Sequence, residues 1–127
     1  MGDEKSKIEP KKQKDEVSKQ LRKGVMEILV LRLLEEGDSY GYEIIQTLSE
    51  RSGGVFLLKE GTLYPVLYRL EDDGLVKSYW EQPAAGRKVP KKYYAITPSG
   101  KKKLGQMLVT WQSFVKATDQ ILFDNDK

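Results

Sequence analysis

The feature that most constrains this sequence is a helix-forming segment that is apolar on nearly all sides. Only Glu27 and Arg32 interrupt the run of large apolar residues from Met26 to Leu34, and Leu21 and Val25 precede it. A helix with so wide an apolar surface must be buried on more than one side. A chain of 127 residues has room for one modest core. The second buried side therefore implies a partner, and a dimer interface is the simplest one.

The composition excludes several functional classes. The chain has no cysteine and no histidine, so we expect no zinc site and no catalysis built on imidazole or thiolate. It also lacks a glycine-rich phosphate loop and paired carboxylates, so we expect no enzyme, metal or cofactor. The absence of cysteine, of a secretory signal and of a membrane span predicts a cytoplasmic protein that does not bind membranes. The net charge of +3 favours a polyanionic partner only weakly.

The apolar spacing predicts a mainly α-helical fold with one small β-hairpin. Helical periodicity marks three segments, alternation marks the two strands that follow, and a long helix closes the chain. Ser39 is a suitable cap for the second helix, and Thr97 followed by Pro98 is suitable for the last. The expected helices span residues 18 or 19 to 36, 39 to 51, 59–62 to 74 and 97 to 122, and the expected strands span 75–82 and 91–97.

Three parts of the chain are expected to have different roles. Residues 1–18 are charged and poor in large apolar groups, which predicts a flexible arm that either touches phosphates or is a solvated tail. Residues 19–97 are expected to form a winged helix-turn-helix domain. Residues 98–127 are expected to form a dimerisation helix and tail, because apolar residues follow the spacing of a coiled-coil seam. The seam comprises Leu104, Leu108, Trp111, Val115, Thr118 and Leu122.

Three helices followed by a basic hairpin are the layout of a winged helix-turn-helix, whose helix after the turn enters the major groove of DNA. The third helix has an apolar face and an outward face that offers groups to phosphates, sugars and bases. The hairpin tip carries four cations within six residues, which either contact phosphates or only solvate a turn. Tyr64 could instead pack on the second helix, and Trp80 is expected to pack within the hairpin. The predicted DNA-binding residues are Ser39, Tyr40, Tyr42, Lys59, Thr62, Tyr64, Pro65, Tyr68, Arg69, Arg87, Lys88, Lys91 and Lys92.

Four motifs, in this order, resemble the short subfamily of the PadR family of bacterial regulators. They are Tyr40–Ile44, Gly61–Glu71, Asp73–Val76 and Lys91–Gly100. The resemblance implies a homodimer in which the last helix packs against the partner's first helix. It also implies binding to double-stranded operator DNA with dyad symmetry, usually to repress transcription.

The resemblance further implies a ligand site, because some short members hold flat hydrophobic drugs between the tryptophans of two subunits. Trp111 matches that tryptophan in position, although it could equally be dimer core. Val115 departs from the acidic residue of the best-known drug-responsive members, which puts recognition of cationic drugs in doubt. The residues expected to form the site are Glu27, Ile28, Met107, Leu108, Trp111 and Val115.

The sequence therefore predicts a dimeric, sequence-specific repressor that a small aromatic ligand at the dimer centre relieves. The alternative is a ligand-sensing or protein-interaction module with incidental DNA affinity. The basic hairpin argues against this alternative, because protein interfaces are more often apolar at their centre.

Overall fold

The computed structural model describes residues 24–82 and 89–124. These residues form four helices around a small antiparallel sheet, which confirms the predicted mainly α-helical fold with a β-hairpin. In chain order the elements are α1 (Met26–Glu36), β1 (Ser39–Tyr40), α2 (Gly41–Arg51), α3 (Glu60–Asp72), β2 (Val76–Trp80), β3 (Lys92–Ile96) and α4 (Pro98–Leu122).

The starts of the first two helices differ from the sequence-based expectation. Residues 24 and 25 form a turn and α1 begins at Met26, while the part of the predicted helix from residue 18 or 19 to residue 23 lies outside the described residues. Glycine at position 24 disfavours a continuous helix there. Ser39 does not cap α2, whose N-cap is Tyr40 without a side-chain hydrogen bond. The hydroxyl of Ser39 donates instead to Glu43 Oε1 at 2.7 Å.

The sheet has the strand order β1-β3-β2 and contains one strand that sequence reasoning missed. Strand β1 has only two residues, too few for an alternating pattern to be visible. Ser78 of β2 lies opposite Tyr94 of β3, and Trp80 lies opposite Lys92. Because side chains alternate along a strand, these four residues share one face of the sheet. The hydroxyl of Ser78 donates to Glu71 Oε2 at 2.6 Å, which holds α3 over that face.

The core lies between α1, α2, α3 and the sheet, and the start of α4 closes it. Thr97 caps α4 as predicted, because its Oγ1 accepts a hydrogen bond from Gly100 N–H at 3.0 Å. A Cβ at Gly100 would overlap the Leu75 carbonyl oxygen, so glycine lets α4 begin directly against the sheet. The largest fully buried side chains are Tyr94, Leu31, Leu34, Ile44, Leu63, Leu67, Leu70, Leu104 and Val30.

The distal part of α4, residues 105–122, contains no buried residue. Phe114 is 68 % exposed and Ile121 is 82 % exposed. The seam positions Leu108, Val115 and Thr118 are only half-buried. The predicted coiled-coil seam thus starts in the core at Leu104 and continues onto the surface. In the described part of the chain, no helix is long and apolar enough to cross a membrane.

Candidate nucleic-acid interface

Helix α3 has one fully buried face and one exposed face, as the apolar spacing predicts. Leu67 is completely buried on the inner side, whereas Gly61, Pro65 and Tyr68 are exposed on the outer side. Tyr68 is the exposed aromatic side chain of this helix, with 52 % of its surface accessible. Thr62 beside them and Lys59 at the N-cap are exposed as well. The outer face therefore offers hydroxyl groups, a cation and two positions of little bulk.

Tyr64 lies between α3 and α2 and is half-buried. Its ring rests on Gly41, where an added Cβ would overlap the tyrosine hydroxyl. Burial, more than the neighbouring Glu60 and Tyr68, raises the pKa of Tyr64 above its ordinary value. The rings of Tyr64 and Tyr68 have their centroids 6.0 Å apart. Tyr64 thus packs on the second helix, the alternative that the sequence left open, and it supports the exposed Tyr68.

A cation held by an aromatic ring stands at the start of α2. Lys91 Nζ lies 4.1 Å from the centroid of the Tyr40 ring, within the range of a cation–π interaction. Tyr40 is the N-cap residue of α2, where backbone N–H groups lack partners within the helix. Tyr42, in the first turn of α2, is 57 % exposed. The start of α2 thus brings together two features that favour a phosphate group, a fixed ammonium and the N-terminus of a helix.

Three tyrosine rings cross the sheet on the face opposite to α3. Tyr93 makes an edge contact with Tyr40, with centroids 5.3 Å apart, and stacks with Tyr79 at 5.8 Å. The hydroxyl of Tyr79 donates to Asp38 Oδ2 at 2.6 Å. This hydrogen bond is the main reason why the pKa of Tyr79 is raised to about 12. The row ties all three strands together, so the hairpin has a defined orientation relative to α2.

Arg69 occupies a different side of α3 from Tyr68. Its Nε donates to Glu27 Oε2 of α1 at 2.8 Å, and both side chains are partly exposed. Sequence reasoning assigned Arg69 to DNA binding and Glu27 to a ligand site, and the structure joins the two in one ion pair. Residues so far apart in the chain give no pairing signal in a single sequence.

The wing, formed by β2, β3 and their connection (residues 76–96), carries the other predicted DNA-binding residues. Lys91 and Lys92 are half-buried at the start of β3, while Arg87 and Lys88 lie outside the described residues. The expectation that Trp80 packs within the wing is wrong, because 62 % of its surface is exposed. The hydrogen bond between Ser78 and Glu71 fixes α3 over the middle of β2. Trp80 lies two residues beyond this contact, at the end of the strand.

A second candidate site is a groove of about 800 Å³ between the start of α1 and the distal part of α4. Glu27 and Leu108 do not line it: Glu27 pairs with Arg69, and Leu108 packs against the core. Val25, Phe114 and Thr118 line the groove without having been predicted for it, although the last two follow Trp111 at helical spacing. The predicted ligand residues that do line it are Ile28, Met107, Trp111 and Val115.

The arrangement of α2, α3 and the hairpin defines a winged helix-turn-helix protein. Residues 30–106 match the model of the transcriptional regulator PadR-like family. The chain belongs to this family, which confirms the resemblance drawn from the motifs. Members of the family regulate transcription, in agreement with the expectation of a non-enzymatic protein.

Two solved structures of PadR family regulators are similar over most of this chain. The regulator from Eggerthella lenta DSM 2243 has a TM-score of 0.74 and 32 % identity, covering 91 % of this chain and 100 % of that one. The regulator from Clostridium difficile R20291 has a TM-score of 0.68 and 38 % identity, covering 77 % and 98 %.

The negative transcriptional regulator PadR of Bacillus subtilis strain 168 is also similar. It is 33 % identical over 88 residues, covering 69 % of this chain but only 47 % of that protein. This chain therefore spans about half of that regulator's length. The crystal structure of Bacillus subtilis PadR in complex with operator DNA has a TM-score of 0.59 to this chain and covers 67 % of it.

Proposed function

We propose that this chain is a homodimeric repressor that binds operator DNA through α3 and the wing. The observation that carries the proposal is the outer face of α3, which exposes Tyr68 and Thr62 next to two residues of little bulk. The similarity to a negative regulator whose structure contains operator DNA supports both the partner and the direction of control.

In this binding mode the N-terminal part of α3 enters the major groove. Gly61 and Pro65 allow a close approach, while Thr62 and Tyr68 reach sugars, phosphates or a thymine methyl group. Lys59 at the helix N-terminus and Lys91 on Tyr40 neutralise flanking phosphates. Arg69 is bonded to Glu27 through Nε alone and is partly exposed, so its terminal N–H groups remain able to donate to a phosphate or a guanine.

The exposed apolar side of α4 supports the dimer. Trp111 continues the seam that begins at the buried Leu104, and Phe114 lies beside this seam. A second copy of the chain would cover both residues. Two copies related by a two-fold axis would present their α3 helices to successive major grooves about 34 Å apart. This spacing matches an operator with dyad symmetry.

The groove beside Trp111 supports a ligand-relief mechanism. Its volume is typical of small-molecule sites, and its lining includes the apolar Ile28, Met107 and Val115. A flat hydrophobic ligand between two copies would favour dimers with a different distance between the two α3 helices. Such a ligand shifts the population of dimers away from the operator-binding form.

The DNA-binding proposal is tested by fluorescence anisotropy with the chain's own promoter and with a random duplex, at about 50 mM and about 200 mM salt. We expect tighter binding to the promoter, and Tyr68→Ala should reduce this preference. The double variant Arg87→Ala with Lys88→Ala should weaken binding to both duplexes. The slope of log affinity against log salt concentration should become shallower by about one unit per lost phosphate contact.

The matched control removes the same charge from α4, as Lys101→Ala with Lys116→Ala, and should leave the slope closer to that of the wild type. Equal changes in the two double variants would contradict a role for the wing cations. No preference for the promoter would contradict the repressor proposal.

The ligand proposal is tested by titrating flat aromatic dyes while Trp111 fluorescence is followed in a Trp80→Phe background. Quenching by a dye that also releases the promoter duplex is the expected result. Release of DNA by the same dye from a Trp111→Ala variant would contradict a site at the tryptophan.

A further inference from the structure

The wing carries a large aromatic side chain at its surface that packing does not explain. Trp80 is one of two tryptophans in the chain, and 62 % of its surface is exposed. Its indole ring combines a flat apolar surface with an N–H donor, a combination common in binding surfaces. A single exposed apolar residue needs no explanation by itself, so the surroundings of Trp80 decide its role.

Trp80 lies on the side of the sheet that faces α3. The hydrogen bond from Ser78 to Glu71 fixes α3 over this face, and Trp80 follows Ser78 by two residues on the same face. Tyr68 lies on the outer face of the same helix, one turn before Glu71. Trp80 and Tyr68 therefore border one surface, a corner between α3 and the wing.

Lys92 brings a positive charge to the floor of this corner. It lies opposite Trp80 across the strands, and its Nζ is 5.8 Å from the centroid of the Tyr94 ring. The carboxylate of Glu71 accepts a hydrogen bond from Ser78, which directs it toward β2 but leaves its negative charge in place. Glu81 lies on the opposite face of the sheet, where it accepts a hydrogen bond from Tyr93 at 3.3 Å. The corner thus offers one cation and two exposed aromatic rings, which suit a phosphate and the apolar face of a sugar.

We propose that Trp80 binds the DNA backbone strand that runs between α3 and the wing. The face of the indole ring packs on a deoxyribose, its Nε1–H donates to a phosphate oxygen, and Lys92 supplies the charge. This inference rests on the proposed DNA-binding function and adds a contact residue to it. Because sugar and phosphate are the same at every step, the contact adds affinity and no sequence preference.

The first test uses Trp80 as its own reporter. Wild type and Trp80→Phe, which retains only Trp111, are titrated with a random-sequence duplex at low salt while anisotropy of the labelled duplex records binding. We expect bound DNA to change the tryptophan emission of the wild type and to protect it from acrylamide. Both effects should be absent in Trp80→Phe at saturating DNA.

The second test measures affinity. Trp80→Ala should weaken binding about tenfold to random and promoter duplexes alike, as expected for the loss of one hydrogen bond to a charged group with its packing. Trp80→Phe keeps the ring, loses the N–H and should weaken binding about threefold. Val109→Ala shortens an apolar side chain that is 68 % exposed on the side of α4 opposite to the seam, and it should leave affinity unchanged. Circular dichroism of each variant verifies that the fold is retained.

The outcomes separate this inference from the function on which it rests. Duplex binding with unchanged Trp80 emission and unchanged acrylamide access would overturn the inference and leave the DNA-binding proposal standing. A tryptophan signal that follows protein concentration in the absence of DNA, present in the wild type and absent from Trp80→Phe, would place Trp80 between copies of the chain and would overturn it as well. Failure to bind any duplex would overturn the proposed function itself.

Discussion

Two parts of this chain are rich in apolar residues but differ in how they are buried. The head, residues 26–104, packs a large set of apolar residues into a core. The distal part of α4, residues 105–122, has no buried residue, and Ile121 is 82 % exposed. The core residues of the head find their packing partners within their own chain, whereas the distal part of α4 has a stripe of apolar groups that the described residues do not cover.

This difference separates the two tasks of the proposed regulator. Packing within the head sets the DNA-facing groups, because Tyr64 rests on Gly41 and the row of tyrosines holds the wing. No contact within one chain sets the distance between two heads. In the proposed dimer that distance would depend on how α4 packs against the partner, which makes α4 the proposed place of ligand action.

The largest effect should follow from opening the core of the head. Leu67→Ala removes a completely buried side chain and should lower the free energy of unfolding by about 3 kcal/mol. Val109→Ala truncates a side chain that is 68 % exposed on α4 and should change it by less than about 0.5 kcal/mol. Urea unfolding followed by circular dichroism measures both. Equal losses would contradict the division into a closed head and an exposed helix.

A smaller effect should follow from changing the contact between α2 and α3. A Cβ at Gly41 would overlap the Tyr64 hydroxyl, so Gly41→Ala should cost about 2 kcal/mol of stability by overpacking. In a Tyr64→Ala background, which leaves space for the methyl group, the same change should cost nearly nothing. A double-mutant cycle by urea unfolding measures the coupling, and additive costs would show that Tyr64 does not rest on α2.

Much of this fold was predictable from the sequence, and the exceptions have physical causes. Turn residues and hydrophobic periodicity located α3, the hairpin and α4, since Gly74 and Thr97 mark helix and strand ends locally. Sequence reasoning missed strand β1 and therefore placed the start of α2 two residues too early. A two-residue strand depends on its pairing with Tyr93 and Tyr94, and no local pattern marks it.

The candidate site was predictable in outline and less so in its contacts. Exposure of Tyr68 follows from helical spacing alone. The ion pair of Arg69 with Glu27 and the exposure of Trp80 depend on how separate elements meet in space, and a single sequence contains no signal for that.

An unpartnered hydroxyl in the head predicts a still smaller effect. Tyr94 is 1 % exposed, and its hydroxyl finds no hydrogen-bond partner among the described residues. Because a buried donor without a partner is unfavourable, Tyr94→Phe should keep or raise the stability, by up to about 1 kcal/mol at neutral pH. A loss of more than about 1 kcal/mol in urea unfolding would show that the hydroxyl is bonded.

The same tyrosine predicts a pH dependence. Burial, followed by the effects of Tyr68, Tyr64 and Glu71, raises the pKa of Tyr94 from 10.0 to about 12. Between these two values the folded chain binds more protons than the unfolded chain, so stability falls as the pH rises through this window. The fall should be shallower in Tyr94→Phe, and an equally steep fall would contradict a raised pKa.

The smallest effect concerns the ion pair that joins α1 to α3 within the head. The ion pair of Glu27 with Arg69 is partly exposed, so Glu27→Gln should cost about 0.5 kcal/mol or less, and less still at high salt. Glu50→Gln, which changes the same charge at an exposed position of α2, serves as the control. A loss above about 1 kcal/mol, independent of salt, would contradict a solvent-screened pair.

The most direct test of the central claim is the number of chains bound to one promoter duplex, measured by sedimentation for the wild type and for Phe114→Asp. The substitution places a carboxylate in the apolar stripe of α4, while Gln120→Asp places the same charge on the opposite side of that helix. We predict two wild-type or Gln120→Asp chains per duplex, and a folded but monomeric Phe114→Asp chain whose affinity is at least about a hundredfold lower. One chain per duplex, with wild-type affinity retained in Phe114→Asp, would contradict the account.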